Sequence, residues 1–190
     1  MDPKKPLPME SYEKRLQRLS EGPPDEIILS ILNAVDNFLL SEISVASKNG
    51  LNDLVILGIH GVIMTITEHV FLKSGKSGFK FYLENFVDKD EPGWEFSHIS
   101  SSIYDLRNVV AHQCLSKLGH VMGYDDQQTL GYRHEDGILW LNVTAYSEQF
   151  RAGFEGKGKT KHWIFDYKDF LNQAAMKTVK NNYLESFQRR

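Results

Sequence analysis

Apolar residues recur every three to four positions along most of this chain, and they alternate in only one short stretch. From Asp25 to about Lys48, "DEIILSILNAVDNFLLSEISVASK" sets Ile28, Ile31, Leu32, Val35, Phe38, Leu39 and Ile43 at helical spacing. That spacing predicts one long helix, opened by Pro23 and Pro24, favoured by Asp25 and Glu26 at its positive end and stopped by Asn49-Gly50. A second long helix is predicted over about Leu51 to Lys73. Its "LVILGIHGVIMTITEHVFL" is apolar on most faces, as expected of the most buried element, and Gly58 and Gly61 predict close helix contact. Before these, residues 1–9 read as a flexible leader and "SYEKRLQRL" as a short first helix. After them, "SGKSG" reads as a turn, "FKFYLENFV" as a helix of about two turns, and "DKDEPG" as a break before a fourth long helix, about Glu95 to Leu118.

The pattern changes in the last third. "TLGYRHEDGILWLNV" carries β-formers on both sides of Asp136-Gly137, a strong hairpin signal. "AYSEQFRAGF" reads as a short helix, "GKGKTK" as a loop and "HWIFDY" as a third strand before a terminal helix from about Lys168 to Phe187. The predicted fold is therefore mostly α: an antiparallel helical bundle with a small β-sheet or hairpin insertion, at about 128–167, before the C-terminal helix. Residues 1–23 form the leader and short helix, and 24–190 a single domain.

Composition narrows the function. With 190 residues, 41% of them hydrophobic, the chain can bury one sizeable core. A net charge of −3 and a pI near 6.2 argue against gripping a long polyanion by bulk charge, so any nucleic-acid contact is expected to be local. Cys114 is the only cysteine, which excludes an intrachain disulfide and a Cys-based structural zinc site and fits a reducing, cytoplasmic setting. No apolar run reads as a signal peptide or membrane span, so no membrane partner is expected, and the sequon at Asn142 carries no weight.

The fourth long helix holds the most informative stretch, "IYDLRNVVAHQCLSKLGH". On a helical wheel Ile99, Ile103, Leu106, Val110 and Cys114 form a packing stripe, while Ser101, Asp105, Asn108 and His112 share the opposite side, and Arg107 lies nearer the boundary. One chain does not stack Arg107 on His112; a second copy of the helix brings such groups to one point. Within this helix, "LRNVVAH" resembles the R-x(4 to 6)-H motif of HEPN domains, helical bundles that carry the motif on a late helix. The resemblance spans about residues 24 to 118 plus the last helix, and the small sheet departs from the common core. It implies a homodimer joining two motifs across a two-fold axis and, in many members, a metal-independent endoribonuclease with Arg107, Asn108 and His112 catalytic. It also implies a toxin or defence role, with an antitoxin or nucleotidyltransferase partner. Other members keep the fold for binding only.

The residue types suit that chemistry by themselves. Attack by an RNA 2′-OH needs a proton removed from it, another delivered to the leaving 5′-oxygen, and charge held on the phosphoryl oxygens. An imidazole titrating near neutrality suits His112 to the proton transfers. A guanidinium fork suits Arg107 to the phosphate, and Asn108 can orient either. Ser101, Asp105, His98 and Lys161 are candidate substrate contacts: the first two share the polar row, His98 lies on its face, and Lys161 belongs to a basic loop with Lys157, Lys159 and His162. No cofactor and no metal is expected. "SGKSG" lacks the first glycine of a phosphate loop, with Val70 in its place, and Lys76 reads as an exposed turn residue. His60 and His69 read as core histidines satisfied by carbonyls, Trp140 and Trp163 as filling of the sheet's packing face, and Asp125 and Asp126 as diverging neighbours. Two readings remain: a dimeric RNase, or an inactive HEPN-like module for interaction or RNA binding whose polar residues order a dimer interface.

Overall fold

A computed structural model describes residues 11–112, 122–156 and 160–188, without the side chains at 12, 108–112 and 188. Among the described residues there are eight α-helices and one three-stranded sheet. The first two helices are α1 (Tyr12–Glu21) and α2 (Pro24–Ala34). Ser11 caps α1 by accepting from Lys14 N, and Pro24 opens α2 where its missing N–H costs nothing. The long helix predicted from Asp25 continues to Lys48, but a π-helical turn, Val35–Leu39, separates α2 from α3 (Leu40–Lys48). Burial therefore jumps from Val35 to Leu40, five positions on, and then to Ile43. Phe38 and Leu39, expected to face the core, are rotated outward and stand 68% and 41% exposed. By length and composition alone the Pro24–Lys48 segment is long and apolar enough to cross a membrane. Ile27, Ile28, Leu32 and Val35 are instead buried in the protein core.

The central element is α4 (Asn52–His69), which touches α3 and the four α-helices that follow it, Gly75–Phe86, Ser100–His112, Val143–Glu155 and Gln173–Gln188. It buries Val55, Ile56, Ile59, Val62, Ile63 and Ile66, yet leaves Leu54 57% exposed. Of its two glycines only Gly58 makes the predicted close contact, against Ile43 of α3; Gly61 faces open space. His69 is exposed in the last turn, so it is not the core histidine expected. "SGKSG" does not form a separate turn: α5 (Gly75–Phe86) begins at Gly75, whose φ of 60° starts the helix, and is longer than "FKFYLENFV" suggested. A 3-10 turn, Phe96–Ile99, then leads into α6 (Ser100–His112). Residues 113–121, including Cys114 and His120, lie outside the described part.

The sheet corrects the sequence reading most. Its strands are β1 (Met122–Tyr124), β2 (Tyr132–Glu135) and β3 (Ile138–Leu141), in the order β1-β3-β2. The hairpin lies where predicted, with Asp136 and Gly137 at φ 51° and 78°, the left-handed pair of a type I′ turn. The third strand is β1, parallel to β3, rather than "HWIFDY". That segment forms a 3-10 turn, Ile164–Asp169, because its apolar groups are drawn to the helices: Ile164, Phe165 and Tyr167 are buried, and His162 meets Phe86 and Phe170. Trp163 is likewise not on the sheet; its Nε1 donates to Phe154 O at 2.8 Å, near the end of the helix Val143–Glu155. Trp140 does belong to the sheet, lying over Gly123. "AYSEQFRAGF" belongs to α7 (Val143–Glu155), a core helix burying Tyr146, Phe150 and Phe154. Asn142, the sequon residue, is buried as the cap of α7, accepting from Ala145 N at 2.8 Å and donating to Gln128 O at 3.0 Å. The terminal helix, α8 (Gln173–Gln188), packs on α2, and Lys180 closes the end of α1 by donating to Ser20 O and Gly22 O at 2.7 and 2.6 Å.

Candidate functional site

The site builds up from how α6 is anchored. Asp88 is buried before the helix and accepts from Ser97 N at 3.1 Å, which fixes the 3-10 turn that starts it. Burial pushes the Asp88 carboxyl up; the bonds from Ser97 and the charges of Lys161 and His98 pull the other way. From there the 3-10 turn buries Ile99 and α6 buries Ile103 and Leu106, as the apolar stripe predicts, and α6 turns Ser101, Asp105 and Arg107 outward. Val110 on that stripe, and the side chains of Asn108 and His112, lie outside the described part, although the α6 backbone carries both of the latter positions.

Beneath the outward face three rings from three helices meet. His60 of α4 stacks on Phe79 of α5 at 4.9 Å and tilts against Tyr104 of α6 at 5.0 Å, and Phe79 meets Tyr104 edge-on at 5.6 Å. Desolvation by this burial, and secondarily the charge of Arg107, brings the His60 imidazole down to about 4. His60 is therefore neutral at physiological pH. Its Nδ1 has no hydrogen-bond partner among the described residues.

The outward row is not composed as the sequence suggested. Ser101 and Asp105, read as substrate contacts, both hold Lys76: its Nζ donates to Asp105 Oδ2 at 2.6 Å and to Ser101 Oγ at 3.1 Å. The same ammonium lies 5.7 Å from the centre of the Tyr104 ring. Arg107, on the next turn after Tyr104, lies within electrostatic reach of His60. Lys76 and Arg107 are thus two cations on the exposed side of α6. No spacing in the sequence links the start of α5 to α6, so Lys76 was legible only as an exposed lysine.

His98 and Lys161 gather elsewhere. Both act on Asp88 at the beginning of α6, and Lys161 lies 3.7 Å from Asp90. Asp125 and Asp126 diverge as expected: the former holds Arg133 at 2.6 Å and the latter accepts from Thr144 N at 3.1 Å. Among the described residues no group of three His, Cys, Asp or Glu is placed to hold a metal ion. No known family, curated protein or solved structure matches the chain.

Proposed function

We propose that the chain is a HEPN-type, metal-independent endoribonuclease acting as a homodimer, with Arg107, Asn108 and His112 as its catalytic groups. The observation that carries this reading is the outward placement of Arg107, on a helix that continues through positions 108 and 112. Arg107 lies on the exposed side of this helix, and the planar fork of a guanidinium matches the paired oxygens of a phosphodiester. In the proposed reaction the 2′-oxygen attacks phosphorus and gives up its proton to a His112 imidazole. The bond from phosphorus to the 5′-oxygen breaks as that oxygen is protonated, leaving a 2′,3′-cyclic phosphate and a 5′-hydroxyl. Arg107 carries the charge that builds on the phosphoryl oxygens; losing such a contact costs about two to three orders of magnitude in rate.

The homodimer is supported by the surface of α4. His60 faces α6 and Gly58 faces α3, so Leu54 and Gly61, which lie between these directions on the helix, form an exposed apolar stripe between the two neighbours. A groove of about 430 Å³ runs beside it, lined by Leu39, Ala46, Leu54, Leu57, Gly58 and Gly61. The same surface, with the net charge of −3, favours the second reading, an inactive interaction module.

The test is incubation of the protein, Arg107→Ala and His112→Ala with tRNA and an unstructured RNA in excess EDTA, followed by analysis of product ends. Cyclic-phosphate ends from the unmodified protein alone are expected. Equal cleavage by the His112→Ala variant, or no cleavage by any of the three, refutes the ribonuclease; loss of dimer in both variants without any cleavage selects the interaction module.

A further inference from the structure

We infer that Lys76 is a second phosphate-binding cation of this site, positioned by Asp105 and Ser101 to take an RNA phosphate flanking the one that is cut. The inference rests on the reading of α6 as an RNA-cleaving helix. An acidic side chain on a face that receives RNA repels phosphate unless its charge is answered, and here Lys76 answers it at 2.6 Å. The ion pair does little for the fold: its partners are 52% and 54% exposed, where such pairs contribute little net stability. What it does is hold a flexible four-carbon side chain in one place. An ammonium has three N–H donors. One goes to Asp105 and one to Ser101, and no described residue takes the third.

The surroundings favour an anion there. Lys76 lies in the first turn of α5, which contains no acidic residue to oppose the positive end of the helix dipole. Along α6, Asp105 precedes His112 by two turns, a rise of about 10 Å. Lys76 therefore meets a neighbouring phosphate and not the scissile one, and its loss acts on binding more than on turnover.

The test is fluorescence anisotropy with a labelled single-stranded RNA whose 2′-O-methyl groups prevent cleavage, measured over about 50 to 300 mM salt. Lys76→Ala is expected to weaken binding roughly three- to ten-fold and to reduce the slope of log affinity against log salt by about 0.7, the value of one phosphate contact on a single strand. Lys76→Arg restores most of both. Lys80→Ala, one turn along the same helix and 3.5 Å from Glu84, changes neither. Ser101→Ala weakens binding about two-fold and does nothing further in the Lys76→Ala background, because its effect passes through the ammonium. If Arg107→Ala weakens binding while Lys76→Ala matches Lys80→Ala, the role of Lys76 is overturned and the ribonuclease reading stands. A Ser101→Ala effect that persists in the Lys76→Ala background overturns the positioning role. No RNA binding by the unmodified protein overturns this inference and the proposed function together.

Discussion

Acid should destabilise this fold through His60, by an amount that can be worked out from its surroundings. The imidazole is buried against Phe79 and Tyr104, with Arg107 nearby, and titrates at about 4 in the fold against 6.5 when unperturbed. Because the folded value is the lower one, the unfolded chain takes up the proton first as pH falls. Stability is then unaffected above about pH 7.5 and is lost progressively from 6.5 down to about 4. At about pH 5 the unfolded state has gained some 1.5 pH steps of proton affinity over the fold, at about 1.36 kcal/mol each, or ~2 kcal/mol. His60→Phe keeps a ring in the stack and removes the titration. Urea unfolding of both proteins at about pH 7.5, 6 and 5 gives the difference in stability at each pH. Asp88, whose carboxyl burial raises, changes stability with the opposite sign, but it is common to both proteins and cancels. A variant that gains ~2 kcal/mol on the unmodified protein between about pH 7.5 and 5 bears the account out. A difference that stays constant across that range refutes it, because His60 would then be as easily protonated in the fold as in the open chain.

Two further substitutions test the packing around the site. At Gly153 of α7 an added Cβ would fall on the carbonyl oxygen of Phe86, and neither backbone can retreat, so Gly153→Ala should cost about 1–3 kcal/mol despite alanine's better helix propensity. Thermal unfolding would show a lower Tm, and an unchanged or raised Tm would mean that α7 does not back onto the end of α5. The hydroxyl of Tyr146 is buried without a hydrogen-bond partner among the described residues, and burial pushes its phenol up. Tyr146→Phe should therefore be neutral or stabilising, by up to ~2 kcal/mol in denaturant unfolding; a loss of more than about 1 kcal/mol would mean that the hydroxyl is hydrogen-bonded after all.

What the sequence determined by itself is what short-range physics controls. Helical spacing marked the core face of α2 and α6, because residues three and four apart necessarily share a side of a helix: Ile28, Leu32, Ile103 and Leu106 are all buried. Asp136-Gly137 marked the hairpin, because a type I′ turn needs two left-handed residues and that dipeptide tolerates them. The outward side of Ser101 and Asp105 followed from the same wheel, whereas Arg107, placed by the wheel nearer the boundary, is exposed. Tertiary structure decided the rest. The π-helical turn at Val35–Leu39 shifted the phase of the first long helix and exposed Phe38, because the second half had to present Leu40 and Ile43 to α4. Competition for partners turned "HWIFDY" into a 3-10 segment: the aromatic cluster of Phe71, Phe86 and Phe170 buries its neighbourhood more completely than a sheet edge would, and β1 took the place beside β3. Nor could any local pattern show that Lys76, 29 residues before Asp105, would be its partner, or that His60 would be a neutral ring beneath Arg107. Those facts depend on which helices lie side by side, and that is settled by the packing of the whole core and not by the spacing within any one element.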